Sequence, residues 1–226
     1  MRIPFLLLLP VLLTVLISCG RSEETELHHQ ASFSVRYLSL DQTLRAQASF
    51  WEASDSLQSQ TLQIRGTVRF QDRMMTYREE ELTDPSYLLE YRSEFPETLN
   101  LEIQFEDHPD ALLSLKMDPI ADFRAQFSRS EARGLVLEVA GGRLSGEESL
   151  VILLSDDQNT VHTFNIRGPS TSDTHRLTAD QLAPLAPGQH TLFLVKKQVR
   201  QIRKAGLQAS TLIEYFSTPR EIELPK

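Results

Sequence analysis

Sulfur is nearly missing from the chemistry open to this chain. Cys19 is the single cysteine in 226 residues, so the chain can form no internal disulfide and no Cys-ligated zinc site. A domain built from it must be stabilised by its hydrophobic core alone. The G-x-S-x-G elbow of a serine hydrolase is absent, and Gly146-Glu147-Glu148-Ser149 and Gly168-Pro169-Ser170 read as turns. There is no glycine-rich phosphate loop, and His108, His162, His175 and His190 are scattered singly, with no H-x-x-x-H or H-E-x-x-H pair for a metal. Basic charge is scarce as well. With 23 Lys and Arg against 31 Asp and Glu, the chain carries a net charge of −8 and repels nucleic-acid backbones. No catalytic constellation and no cofactor is expected.

What is present begins at the N-terminus. Arg2 precedes an apolar run over residues 5–17, broken only by Pro10 and Thr14, and Ser18 stands just before Cys19. The run of about 13 residues would span roughly 20 Å as a helix, short of the ~30 Å bilayer core, so it reads as an export signal and not a membrane span. Leu16-Ile17-Ser18-Cys19 resembles the lipobox of bacterial lipoproteins, with Ile17 in a slot more often filled by Ala, Ser or Thr. The resemblance implies a signal peptide over residues 1–18, removed on processing, and a diacylglycerol thioether on Cys19, with the new α-amine acylated. Two or three acyl chains give stable attachment where one is marginal.

Removing 18 of the 226 residues, Arg2 among them, leaves 208 residues with 22 basic against 31 acidic side chains, a net −9. A chain this acidic resists lying on anionic lipid, which leaves the anchoring to the acyl groups. Residues 19–31 read as the lipidated cysteine and a polar tether. Gly20 at the second position, and the acidic pair Glu23-Glu24, resemble sorting signals of outer-membrane lipoproteins, with the leaflet open. His28-His29 ends the tether and reads as solvated loop, weak as a metal site without further partners.

From residue 32 the pattern is β. Leu44, Ala46, Ala48 and Phe50 alternate with Arg45, Gln47, Ser49 and Trp51, the period of a half-buried strand. The same alternation recurs in Leu62/Ile64/Val68/Phe70, Leu99/Leu101/Ile103/Phe105 and Leu113/Leu115/Met117, and more loosely in Phe33/Val35/Tyr37 and Tyr87/Leu89/Tyr91. Proline turns at Asp84-Pro85, Phe95-Pro96 and His108-Pro109 separate the runs. Asp118-Pro119 reads as a linker, dividing an N-terminal sandwich over residues 32–118 from a C-terminal one over 119–226. In the second, residues 149–154 and 160–166 form a hairpin across Asp156-Asp157-Gln158-Asn159, and residues 135–139, 191–197, 210–216 and 221–224 are further strands.

Thr178 followed by Gln181 is a capping-box pattern, and Pro187-Gly188 ends that segment. Residues 177–188 resemble the E-to-F crossover of immunoglobulin-like and fibronectin-type modules, without the tyrosine of the tyrosine corner and without the cysteine pair. The expected fold class is all-β, with two tandem antiparallel immunoglobulin-like sandwiches.

Remaining polar features carry little chemistry. Asp156-Asp157 with Asn159 could offer oxygens to calcium, but a hairpin turn accounts for them. Glu79-Glu80-Glu81 with Asp84 cannot form a facing carboxylate pair in a strand, because neighbours point to opposite faces. The most unusual local feature is the run 196–204, with Lys196, Lys197, Arg200, Arg203 and Lys204 inside an acidic chain. It reads either as a protruding arm or edge strand guarded by its cations, or as a docking patch for an acidic envelope partner. Trp51, with Tyr37 or Tyr77, is a candidate sugar-stacking platform. The function expected from this is a non-enzymatic, membrane-anchored adaptor or accessory lipoprotein. The alternative is a surface glycan-binding lipoprotein, and a hydrolase is the more distant third.

Overall fold

Alternating sequence becomes strand through most of the chain that the computed structural model describes, residues 29–52, 61–80, 83–127 and 134–225. The first half supplies β1 (His29–Leu38), β2 (Thr43–Glu52), β3 (Gly66–Phe70), β4 (Arg73–Met74), β5 (Thr76–Glu80), β6 (Thr83–Arg92), β7 (Leu99–Phe105) and β8 (Ala111–Leu115). The second half supplies β9 (Asp122–Phe127), β10 (Leu135–Ala140), β11 (Glu148–Ser155), β12 (Val161–Arg167), β13 (Thr174–Leu177), a one-turn helix α1 (Ala179–Leu182), β14 (Gly188–Lys204), β15 (Leu207–Phe216) and β16 (Arg220–Leu224).

The layers follow from which face of each strand is apolar. In the first half β1-β2-β6-β5 lie in one layer and β4-β3-β7-β8 in the other. This is the A-B-E-D against C′-C-F-G division of an immunoglobulin-like sandwich. Phe33 of β1 meets Phe70 of β3 across it at 5.7 Å between ring centroids. Both rings are fully buried, as is Phe50 of β2, and each contributes about 1.5–3 kcal/mol relative to exposure. In the second half β13-β10-β9 face β12-β11-β14-β15, the E-B-A against C′-C-F-G division. The fold is therefore all-β, built of sandwich layers.

One pairing departs from the antiparallel scheme. β1 runs parallel to β15 over ten residue pairs, from His29 with Leu207 to Leu38 with Phe216. It joins one layer of each sandwich into a single nine-stranded sheet, ordered β12-β11-β14-β15-β1-β2-β6-β5 with β16 beside β14. The two smaller sheets cover the same face of it. The chain passes from one small sheet to the other between β8 and β9, at Asp118-Pro119, while the large sheet continues unbroken beneath. Gly141, at φ +85°, closes that crossing: a Cβ there would stand 2.1 Å from the carbonyl oxygen of Pro119.

The E-to-F corner is assembled by short-range bonds. Thr178 Oγ1 accepts from the Gln181 backbone N–H at 3.3 Å, and Gln181 Oε1 accepts from the Thr178 N–H at 2.9 Å, completing the capping box. Buried His190, third residue of β14, donates from Nε2 to the carbonyl of Ala186 at 2.8 Å. It makes the bond back across the corner that a tyrosine makes in many immunoglobulin-like domains.

Several strand limits differ from the sequence reading. Leu62 and Ile64 precede β3, which begins at Gly66, and Met117 lies beyond β8. β13, carrying buried His175, was too short to show as an alternating run. β14 is 17 residues long and absorbs the basic run whole.

Candidate functional site

A strand of alternating faces cannot present five basic residues on one side. In β14, Lys196, Arg200 and Lys204 share parity with Leu192 and Leu194, which face the core, whereas Lys197 and Arg203 face the other way. The basic run is thus divided between two faces. From Val195 to Gln198 the strand is paired on both sides, with β11 and β15; beyond it β11 has ended and β15 alone remains, so Arg200, Arg203 and Lys204 stand at a free edge. The edge reading holds for those three and not for Lys196 and Lys197.

Lys196 is buried, with 1% of its surface exposed. Its Nζ donates to the carbonyls of Gly141 and Arg143, each at 2.9 Å, and lies 3.7 Å from Oε1 of buried Glu148. Desolvation depresses the lysine pKa, against the opposing pull of Glu148 and Asp118. Glu148 also accepts from the Ser145 N–H at 2.7 Å, and Gln198 donates to Glu148 at 3.4 Å and to the Lys116 carbonyl at 3.0 Å. This cluster sits where the small sheets meet above the large one, and ties β8, β10, β11 and β14 together. It works as an internal clamp and leaves Lys196 unable to reach a partner. Arg200 pairs with Glu147, Arg203 bonds Gln208 at 3.2 Å, and Lys204 donates to the Leu112 carbonyl at 2.8 Å.

Cations gather instead on the outer face of the large sheet, away from both small sheets. In register across the strands stand Arg167 of β12, Lys197 of β14, Glu214 of β15, Arg36 of β1, Arg45 of β2 and Glu90 of β6, with Ser149 of β11 between the first two. Four of those six charges are positive, in a chain of net charge −8. Glu214 is buried and receives Lys197 at 2.7 Å and Arg36 at 2.8 Å. Burial raises its pKa, but the two cations together outweigh that and hold the carboxyl below the ordinary range. Two residues along the strands, Val151, Val195, Phe216 and Leu38 form a parallel apolar row, of which Phe216 and Leu38 are half-buried and the two valines buried, and Arg36 lies over the Phe216 ring at 5.3 Å.

The histidines are placed differently from the sequence reading. His29 is not solvated loop. It opens β1, stacks on Phe105 at 4.9 Å, and meets His108 edge-on at 5.0 Å, at the rim of a cavity of about 280 Å³ that also includes Glu52, Arg65 and Asp107. Seventy-nine positions separate the two histidines, and no local pattern signals their meeting. No group of three or more His, Cys, Asp or Glu side chains suited to a metal occurs among the described residues. Asp156 Oδ1 accepts from the backbone N–H groups of Thr160 and Gln158 at 2.7 and 3.0 Å, which lowers its pKa and organises the hairpin turn.

The aromatic platform is not assembled. Tyr37 is buried between Phe95 and Tyr215, and Tyr77 packs on Tyr87 on the core side of the sheet, opposite to the face that carries Trp51. Cys19 and His28 lie outside the described residues, as does Glu81. No protein-family model matches the chain, and no curated protein matches it.

Proposed function

We propose that this protein is a bacterial lipoprotein, held at the outer membrane by lipid on Cys19, which acts without catalysis by docking a protein partner against the outer face of its large sheet. The observation that carries the reading is that face itself: two immunoglobulin-like sandwiches fuse edge to edge through β1 and β15 into one broad surface, and one row across it sets four cations against two carboxylates in a chain of net charge −8. A basic row beside an apolar row suits recognition of an acidic protein surface, where charge sets orientation and apolar contact supplies affinity. The lipid tether would keep this face near the membrane.

Two measurements test the proposal. Labelled palmitate should enter the wild-type chain and not Cys19→Ser, and labelling of the mutant overturns the anchor. Affinity capture from native envelopes should recover a partner with the wild-type protein and lose it with Val199→Asp. Val199 is 53% exposed on the outer face. Equal recovery by both overturns the placement of the docking face.

A further inference from the structure

We infer that the hollow between Arg36 and Arg45 on that outer face is a carboxylate-binding site, made to receive an acidic side chain of the docked protein. The inference rests on the docking proposal and names the group that enters.

The two arginines are direct cross-strand partners in the β1–β2 ladder. Like charges so placed are destabilising, since their Cβ atoms are only about 4.5–5.5 Å apart. Arg36 is held in position: Nε and Nη2 both donate to Glu214 Oε2, at 3.1 and 2.8 Å, and its guanidinium rests over Phe216. Each guanidinium has five N–H donors. Two on Arg36 are used in these bonds, and Arg45 is exposed with no ion pair among the described residues. Glu214 cannot serve Arg45 as well, being already shared between Arg36 and Lys197. Glu90 faces Arg45 in register but forms no ion pair with it. The hollow, about 220 Å³, has Ser34 and Gln47 on its walls and Leu212 at its side, and Glu214 also lines it, with its charge taken up by Arg36 and Lys197. A carboxylate entering it would bridge the two guanidiniums in the forked geometry that arginine favours, converting a repulsion into two charge-assisted bonds.

A discrete carboxylate fits better than a phosphate surface. Glu214 interrupts the cationic row and Glu90 ends it, and a continuous polyanion laid along the cations would have to pass over Glu214. The apolar row alongside also calls for a mixed surface, as a protein offers.

The test uses the intact lipidated protein in neutral detergent and a fluorescent peptide carrying a single glutamate among leucine and glycine residues, read by anisotropy. Wild type should bind, and Arg45→Gln should weaken binding about tenfold, as for loss of one charge-assisted bond. Arg124→Gln, which removes the same charge from exposed β9, should leave it unchanged. Equal weakening by the two variants, or no binding by wild type, overturns the site. So does inorganic phosphate if it displaces the peptide at a lower concentration than free glutamate does. Envelope capture separates this inference from its parent. Capture lost with Val199→Asp but kept with Arg45→Gln sinks the carboxylate site and spares the docking face, while capture indifferent to Val199→Asp sinks the face.

Discussion

Replacing Lys196 with methionine keeps most of the side-chain volume and removes only the ammonium, so it isolates the clamp that ties β14 to the turn after β10 and to Glu148 of β11. The carbonyls of Gly141 and Arg143, each bonded at 2.9 Å, then lose this donor, and the buried carboxylate of Glu148 loses its cation at 3.7 Å while keeping the Ser145 and Gln198 bonds. Breaking a buried pair from one side costs about 3–5 kcal/mol, because the remaining charge is left uncompensated. Changing Glu148 to glutamine in the same chain removes that charge and keeps an acceptor for the Ser145 N–H. The double variant should therefore be more stable than Lys196→Met alone, with a coupling of at least about 1–2 kcal/mol. Equilibrium unfolding in guanidinium of the two singles, the double and wild type measures this. The pH dependence gives a second reading. The folded pKa of Lys196 lies below its unfolded value, so between the two the unfolded state binds more protons, and stability rises with pH across that window. Wild type should gain on Lys196→Met as pH rises from the depressed folded value toward about pH 10.4, the unfolded lysine value. A cost for Lys196→Met below about 1 kcal/mol, or simple additivity in the double variant, would refute the clamp.

Three further outcomes are expected. Glu214 has a folded pKa below its unfolded value, so its stabilisation is present above about pH 4.3 and is lost as pH falls through the folded value; thermal unfolding of wild type and Glu214→Gln should converge in acid, and a gap that persists there contradicts the Lys197–Glu214–Arg36 pairing. His190→Ala leaves the Ala186 carbonyl without its donor and opens space at the corner, for a loss of about 2–3 kcal/mol in denaturant unfolding, of which Tyr should restore part by bonding back as tyrosine corners do. Gly141→Ala must move the Asp118-Pro119 crossing to clear the 2.1 Å approach to Pro119, and should cost more than the ~1 kcal/mol of an ordinary left-handed alanine; an unchanged unfolding midpoint would show that the crossing is loose.

Period-two alternation made the strands legible because it is a local property, set by which face of each strand meets the core. It also carried information that the clustering of charge obscured. Lys196 stands two residues after Leu194 and four after Leu192, so its inward direction was present in the pattern, but a run of five cations in nine residues reads as surface. The capping box at Thr178 and Gln181 was visible for the same reason, since both of its bonds close within three residues. His29 with His108, and Arg36 with Glu214 across 178 positions, had no such signal.

The amino-acid sequence by itself determined the class of the fold, the faces of its strands, the capped corner before β14 and the expectation of a lipid on Cys19. These depend on neighbours within a few residues or on a short motif. Tertiary structure decided that β1 would lie parallel to β15, that two sandwiches would share one sheet, and that cations from β12, β14, β1 and β2 would fall into one row. Strand order and register arise from long-range packing, where burial of two apolar faces and not local preference selects the neighbour, and only that choice brings Arg36 opposite Arg45.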